Sequence, residues 1–167
     1  MLKWDLIGIA VMISGSATSP IFYTFTCEES FFWVKFWLGQ IWFFCGLASL
    51  ITVTQSANKS TCLFATVYIT AVFLTMPCAL HATYGMAEDQ AWGFKLSPWL
   101  IGEHFYGIGA VLYGTKTPER FFKGKCDFIG SGHNWFHLGC AIGAAIHFWA
   151  SLKSFHERQL FECPEIG

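Results

Sequence analysis

The feature that most restricts this chain is a series of apolar runs, each roughly 17 to 25 residues long, the length that crosses a ~30 Å hydrocarbon core. Inside lipid no water is present to bond a free amide or carbonyl. A spanning segment must therefore satisfy its own backbone, and an open chain of such runs does so as helices. Of its 167 residues 54% are hydrophobic and 19% aromatic, while only 13% are charged. A soluble domain carries about 25% charged residues, so the sequence reads as an all-α integral membrane bundle with lipid as its solvent.

Five crossings are expected, in one transmembrane domain over 1–167. The first covers 6–25 and contains Pro20; the second, 31–54, is dense in Trp and Phe. The third covers 61–81, with a kink expected at Pro77, because proline removes one helix hydrogen bond and clashes with the preceding turn. The fourth, 98–113, is short and holds Glu103 and His104; the fifth runs over 133–152, followed by a polar tail. Between the last two lies the most polar stretch, 114–132, with Lys116, Glu119, Arg120, Lys123, Lys125 and Asp127.

With five crossings the termini fall on opposite sides. Lys3, Lys59, Lys116, Arg120, Lys123 and Lys125 share one side, and Lys35, Lys95, Lys153 and Arg158 the other. Basic residues in short loops favour the cytoplasm, which places the N-terminus inside and the C-terminus outside or in a lumen. Lys3 and Asp5 precede an apolar run without a small-residue cleavage pattern, so the first helix is expected to stay in the membrane. The net charge of −1 argues against nucleic acid as a partner. The seven cysteines form no C-x-x-C pair and mostly sit in apolar runs, where a thiol packs as a small hydrophobe. Cys27 and Cys163 lie outside those runs on one expected face, and a disulfide between them is conceivable.

The chemistry concentrates at two helix beginnings. His133 and His137 are four apart, so both imidazoles project from one helix face about 6 Å apart. Two histidines at this spacing suit one tetrahedral metal ion. The first and fifth helices enter from the same side, which sets Asp5 at the depth of the pair, where a carboxylate could hold a metal-bound water or orient a ligand. The blander reading is two interfacial histidines, with Asp5 favoured by the helix dipole alone. His81, His104, His147 and His156 read as satisfied polar residues or interfacial anchors. Gly139 and Gly143 form a G-x-x-x-G pattern that favours close helix packing.

The stretch Thr117-Pro118-Glu119-Arg120-Phe121-Phe122-Lys123-Gly124-Lys125-Cys126-Asp127, followed by Ser131-Gly132-His133-Asn134-Trp135-Phe136-His137, resembles the adiponectin receptors. These belong to the progestin and adiponectin receptor family, which includes the haemolysin III-like proteins. Lys3 to Ala10 is similar to the start of that family's third helix and Met76 to His81 to its fifth, so the likeness runs in order over nearly the whole chain. The resemblance implies a seven-helix fold with a cytoplasmic N-terminus and a Zn2+ site. His133 and His137 would be two of its ligands, and Asp5 the carboxylate that holds a water. It further implies hydrolysis of a membrane lipid amide of the ceramide type, or signalling through such an activity, and an extracellular protein ligand.

One element of the family pattern is absent. Its remaining zinc ligand is a histidine in a Ser-x-x-x-His motif on the second helix, and only four residues precede Asp5 here. The chain is therefore expected to be a piece of a seven-helix protein, with a five-helix relative of weakened zinc binding as the alternative. Two other classes compete with a zinc-dependent hydrolase. One is a non-catalytic receptor or scaffold that keeps the fold without a full metal site. The other is a small transporter or channel using Glu103, His104 and His81 as a polar path.

Overall fold

The computed structural model describes residues 2–25, 27, 31–54, 73, 75–85, 96–126, 129–160 and 162. Among these, all regular structure is helical. Helix α1 is Leu2–Thr24, α2 is Phe32–Thr54, α4 is Leu96–Gly114 and α5 is Gly132–Gln159. Between α2 and α4, α3 comprises helical residues 75–80 continued by a π-helical turn, His81–Gly85. The first part of the third expected crossing, residues 61–72, lies outside the described residues.

Among the described residues, three helices are long and apolar enough to cross a membrane: α1 over Ile7–Thr24, α2, and α5. Their outward faces carry large apolar side chains, with Val11 57%, Phe43 65%, Leu50 60% and Phe148 71% exposed. Water does not tolerate contiguous surface of this kind, whereas acyl chains do. Hydroxyls on these helices bond back to their own backbone: Ser14 donates to the Ala10 carbonyl at 2.9 Å, and Thr52 to the Ala48 carbonyl at 2.8 Å. Four-residue back-bonding lets a polar side chain sit in an apolar bundle without an outside partner. Ser14 and Thr52 are accordingly buried.

The molecule has two compact units, 1–96 with 151–167, and 97–150. In the first, α1 packs against α2. Ala10, Ile21 and Phe25 meet Val34, Trp37, Ile41 and Cys45, and Cys78 and Ala82 of α3 complete the core. Two indoles tie helices together: Trp42 donates to the Thr18 hydroxyl at 3.3 Å, and Trp37 to Nδ1 of His81 at 3.1 Å. Cys27, in the turn after α1, is disulfide-bonded, and its partner lies outside the described residues.

The second unit is an antiparallel pair, α4 with α5, whose backbones meet along glycines from both helices. A Cβ on Gly132 would lie 2.5 Å from the Leu112 carbonyl oxygen, one on Gly139 2.6 Å from that of Phe105, and one on Gly143 2.9 Å from that of Gly102. From the other helix, a Cβ on Gly109 would sit 3.1 Å from Phe136 Cα. The G-x-x-x-G pair thus lies in a longer seam of close approach, the arrangement that lets helices associate in lipid.

The helix ends differ from expectation where polar residues were read as loop. α5 runs seven residues past Leu152, to Gln159. Lys153 and Glu157 pair at 3.9 Å across one turn, and Arg158 puts a cation where the helix dipole favours it. α1 begins at Leu2 rather than at residue 6, and Asp5 lies in its first turn, as expected.

Candidate metal centre

The last helix is started by a built cap. The Ser131 hydroxyl is in hydrogen-bond contact with the Asn134 side-chain carbonyl, and the Asn134 amide donates to Ser131 Oγ at 3.4 Å. Serine before the first turn satisfies an amide that the helix leaves unpaired, and the Asn134 side chain holds the capping hydroxyl in place. A second cap comes from outside the helix: Glu119 Oε2 accepts from the Gly132 amide at 2.6 Å. Gly132 is buried against the end of α4, so the level at which α5 begins is set on three sides.

His133 and His137 stand on the first two turns above this cap. Their Nε2 atoms are 3.0 Å apart, with ring centroids at 4.5 Å and planes crossing at 83°. The Tyr113 ring lies 5.5 Å from that of His133, and Phe136 flanks His137 at 5.8 Å. His133 is half-buried and His137 exposed. Two imidazoles on a tetrahedral zinc, each at about 2.0–2.1 Å, would have nitrogens about 3.3 Å apart. The same side-chain nitrogen of each histidine therefore already sits at ligand-to-ligand distance, and the pair fits the ion. Asp5 is half-buried in the first turn of α1, within the other unit.

The remaining described histidines have local partners. His147 is buried, donates from Nε2 to the Trp99 carbonyl at 3.2 Å, and lies between the Trp99 and Tyr106 rings at 4.6 and 5.4 Å. Its ring fills the space over Gly102, where an added Cβ would meet Nε2 at 2.2 Å. His147 is thus a lock in the α4–α5 seam, a more definite structural role than an interfacial anchor. His104 bonds through Nδ1 to the Leu100 carbonyl at 2.6 Å on its own helix. His81 accepts from Trp37 and is enclosed by aromatic rings, with Trp33 at 4.3 Å and Phe25 at 5.4 Å. His156 lies beside Phe155 near the end of α5.

Sequence reasoning missed Glu119 and Gly132 as the pair that seats the histidine helix. No spacing rule links a glutamate to an amide 13 residues on. The only local signal was Ser131 with Asn134 ahead of an apolar run.

Comparison with known proteins identifies the group. The family model described as haemolysin-III related matches residues 1–148. The chain belongs to the haemolysin-III-related family of membrane proteins, which contains the adiponectin receptor-like proteins. Among similar proteins, heptahelical transmembrane protein 4 of Arabidopsis thaliana is 31% identical over 98% of this chain and 42% of its own length. Heptahelical transmembrane protein ADIPOR3 of Oryza sativa subsp. japonica is 32% identical over 98% of this chain and 40% of its own. Progestin and adipoQ receptor-like protein 1 of Caenorhabditis elegans is 30% identical over 97% of this chain and 38% of its own. The chain thus spans about two fifths of the length of these relatives.

Proposed function

We propose that this chain contributes two histidine ligands and a water-holding carboxylate to the zinc site of a membrane-embedded lipid-amide hydrolase that also serves as a receptor. The observation that carries the reading is the 3.0 Å separation of the His133 and His137 Nε2 atoms, near what two ligands of one zinc require. Bound zinc would supply a Lewis acid and a water made acidic enough to react near neutral pH. The protein's own residues supply the rest. The Ser131 and Glu119 caps hold the two imidazoles in register, and Tyr113 and Phe136 wall them with rings. Asp5, as a carboxylate at the head of α1, would orient the water and accept its proton. A third ligand would be a histidine of the kind the family pattern carries in a Ser-x-x-x-His motif.

The substrate class that suits this position is a ceramide-like lipid amide, which reaches the site from the bilayer itself. The orientation follows the positive-inside reading: N-terminus in the cytoplasm, C-terminus outside or in a lumen. The disulfide at Cys27 supports it, since such bonds persist in oxidising compartments and Cys27 lies on the side assigned to one.

Metal analysis of the purified protein, with hydrolysis of a synthetic lipid amide, tests the proposal. Stoichiometric zinc that is lost in His133→Ala with His137→Ala, and hydrolysis lost in Asp5→Asn with zinc retained, are the expected results. Zinc without any lipid-amide turnover would assign the protein to the non-catalytic receptors. No zinc in the whole protein would end the reading.

A further inference from the structure

We infer that the segment between α4 and α5 is a binding surface for anionic lipid headgroups, with Arg120, Lys123 and Lys125 taking the headgroup charge and Phe121 and Phe122 entering the acyl boundary. The inference is independent of the metal reading and begins with the fold of the segment.

This is not a free linker. The Lys116 amide donates to the Tyr113 carbonyl at 3.1 Å and the Thr117 amide to that of Leu112 at 2.9 Å, continuing directly from the end of α4. Arg120 then bonds back to Lys116 at 2.9 Å, Phe121 and Phe122 to Pro118 at 2.9 and 3.2 Å, and Lys125 to Phe122 at 3.0 Å. Gly124, at φ 79°, takes the left-handed conformation that turns the chain back. The Glu119 bond to Gly132 closes the segment onto the start of α5. A turn this well bonded presents its side chains in a definite pattern.

That pattern is cationic and aromatic together. Phe121 is 65% and Phe122 55% exposed, and Ile129 beyond them 77%. Arg120, Lys123 and Lys125 are exposed around them, and the Arg120 guanidinium lies 4.7 Å over the Phe121 ring. The segment 115–131 has four basic residues and two acidic ones, and the carboxylate of Glu119 is committed to a helix amide. Lysine and arginine beside a membrane span, with aromatic rings at the headgroup level, are the chemistry that holds a protein to an anionic leaflet. A soluble acidic partner would be served by the charges alone. Two adjacent rings exposed at the foot of a membrane-spanning helix favour lipid.

The test uses the full chain in mixed micelles holding equal amounts of phosphatidylcholine and phosphatidylglycerol, with retained lipid counted by native mass spectrometry. Wild type is expected to retain phosphatidylglycerol selectively, and the selectivity to fall as salt rises from about 50 mM to about 500 mM. Arg120→Gln with Lys123→Gln and Lys125→Gln should lower it by at least about tenfold. Lys153→Gln, outside the segment, should leave it unchanged. Phe121→Ser with Phe122→Ser should reduce the total lipid retained while keeping the headgroup preference. The salt titration needs no variant, so the inference stays testable if the triple variant folds poorly. Equal retention of the two lipids by wild type would overturn it, as would unchanged selectivity in a folded triple variant. Capture of a soluble acidic peptide without any lipid preference would overturn it too.

Discussion

The Glu119 carboxylate accepts a hydrogen bond from the Gly132 amide at 2.6 Å, across 13 residues and immediately before His133. This contact fastens the turn after α4 to the first turn of α5, and it places negative charge at a helix N-terminus, where the dipole favours it. Replacing Glu119 by alanine should cost about 1–2 kcal/mol, with a smaller loss for glutamine, which still accepts a hydrogen bond but lacks the charge. Thermal unfolding in detergent measures the difference. A Glu119→Ala protein as stable as wild type would show that the Ser131 cap alone seats the helix.

The glycine seam gives a second, paired expectation. Gly139→Ala must push apart two backbones, because the new Cβ would lie 2.6 Å from the Phe105 carbonyl oxygen, and a loss of about 1–3 kcal/mol should follow. Gly8→Ala and Gly46→Ala meet nothing within 4 Å and should be neutral or stabilising by up to about 1 kcal/mol, from helix propensity. Equal melting shifts for Gly139→Ala and Gly46→Ala would contradict the seam.

His147 and Gly102 should behave as one unit. Gly102→Ala collides with the His147 imidazole, and His147→Ala leaves a cavity and removes the Nε2 bond to the Trp99 carbonyl; each should cost about 2–4 kcal/mol. In the double variant the new methyl group occupies part of the vacated space, so the two losses should sum to more than the combined effect. A coupling energy of about 1 kcal/mol or more, in a double-mutant cycle, is the expected result.

Zinc removal offers the fourth check. If the histidine pair helps hold an ion, saturating zinc at about a hundred times its Kd should stabilise the protein by about 2.7 kcal/mol, and chelation should reverse this. His133→Ala with His137→Ala should melt at the same temperature with and without zinc. A zinc-dependent melt that survives in that variant would move the ion elsewhere.

Much of this architecture could be read from residues alone, for physical reasons that differ element by element. α2 was legible almost to the residue, because a lipid-length apolar run between polar turns permits little else. The histidine pair was legible because spacing four is a property of any helix. The π-helical turn at His81–Gly85 was not, since apolar periodicity reports only an average winding. The extension of α5 through Arg158 was missed because charge in a sequence looks like loop until the pairing of Lys153 with Glu157 is seen. His147 read as a satisfied polar residue or an interfacial anchor, and its bond to the Trp99 carbonyl fits the first, but its place in the helix seam was not legible. Only the absence of a side chain at Gly102, 45 positions earlier, makes room for it.

The seam along α4 and α5 has one more consequence. Since glycines from both helices of the pair line it, a slide by one turn, about 5.4 Å, would bring a full side chain to a place where only a Cα hydrogen fits. The two rods are therefore indexed against each other like notched rulers. The height of the His133 and His137 rings relative to α4 is set by residues as far away as Gly143, and variation at those distant notches should retune the histidines without touching them.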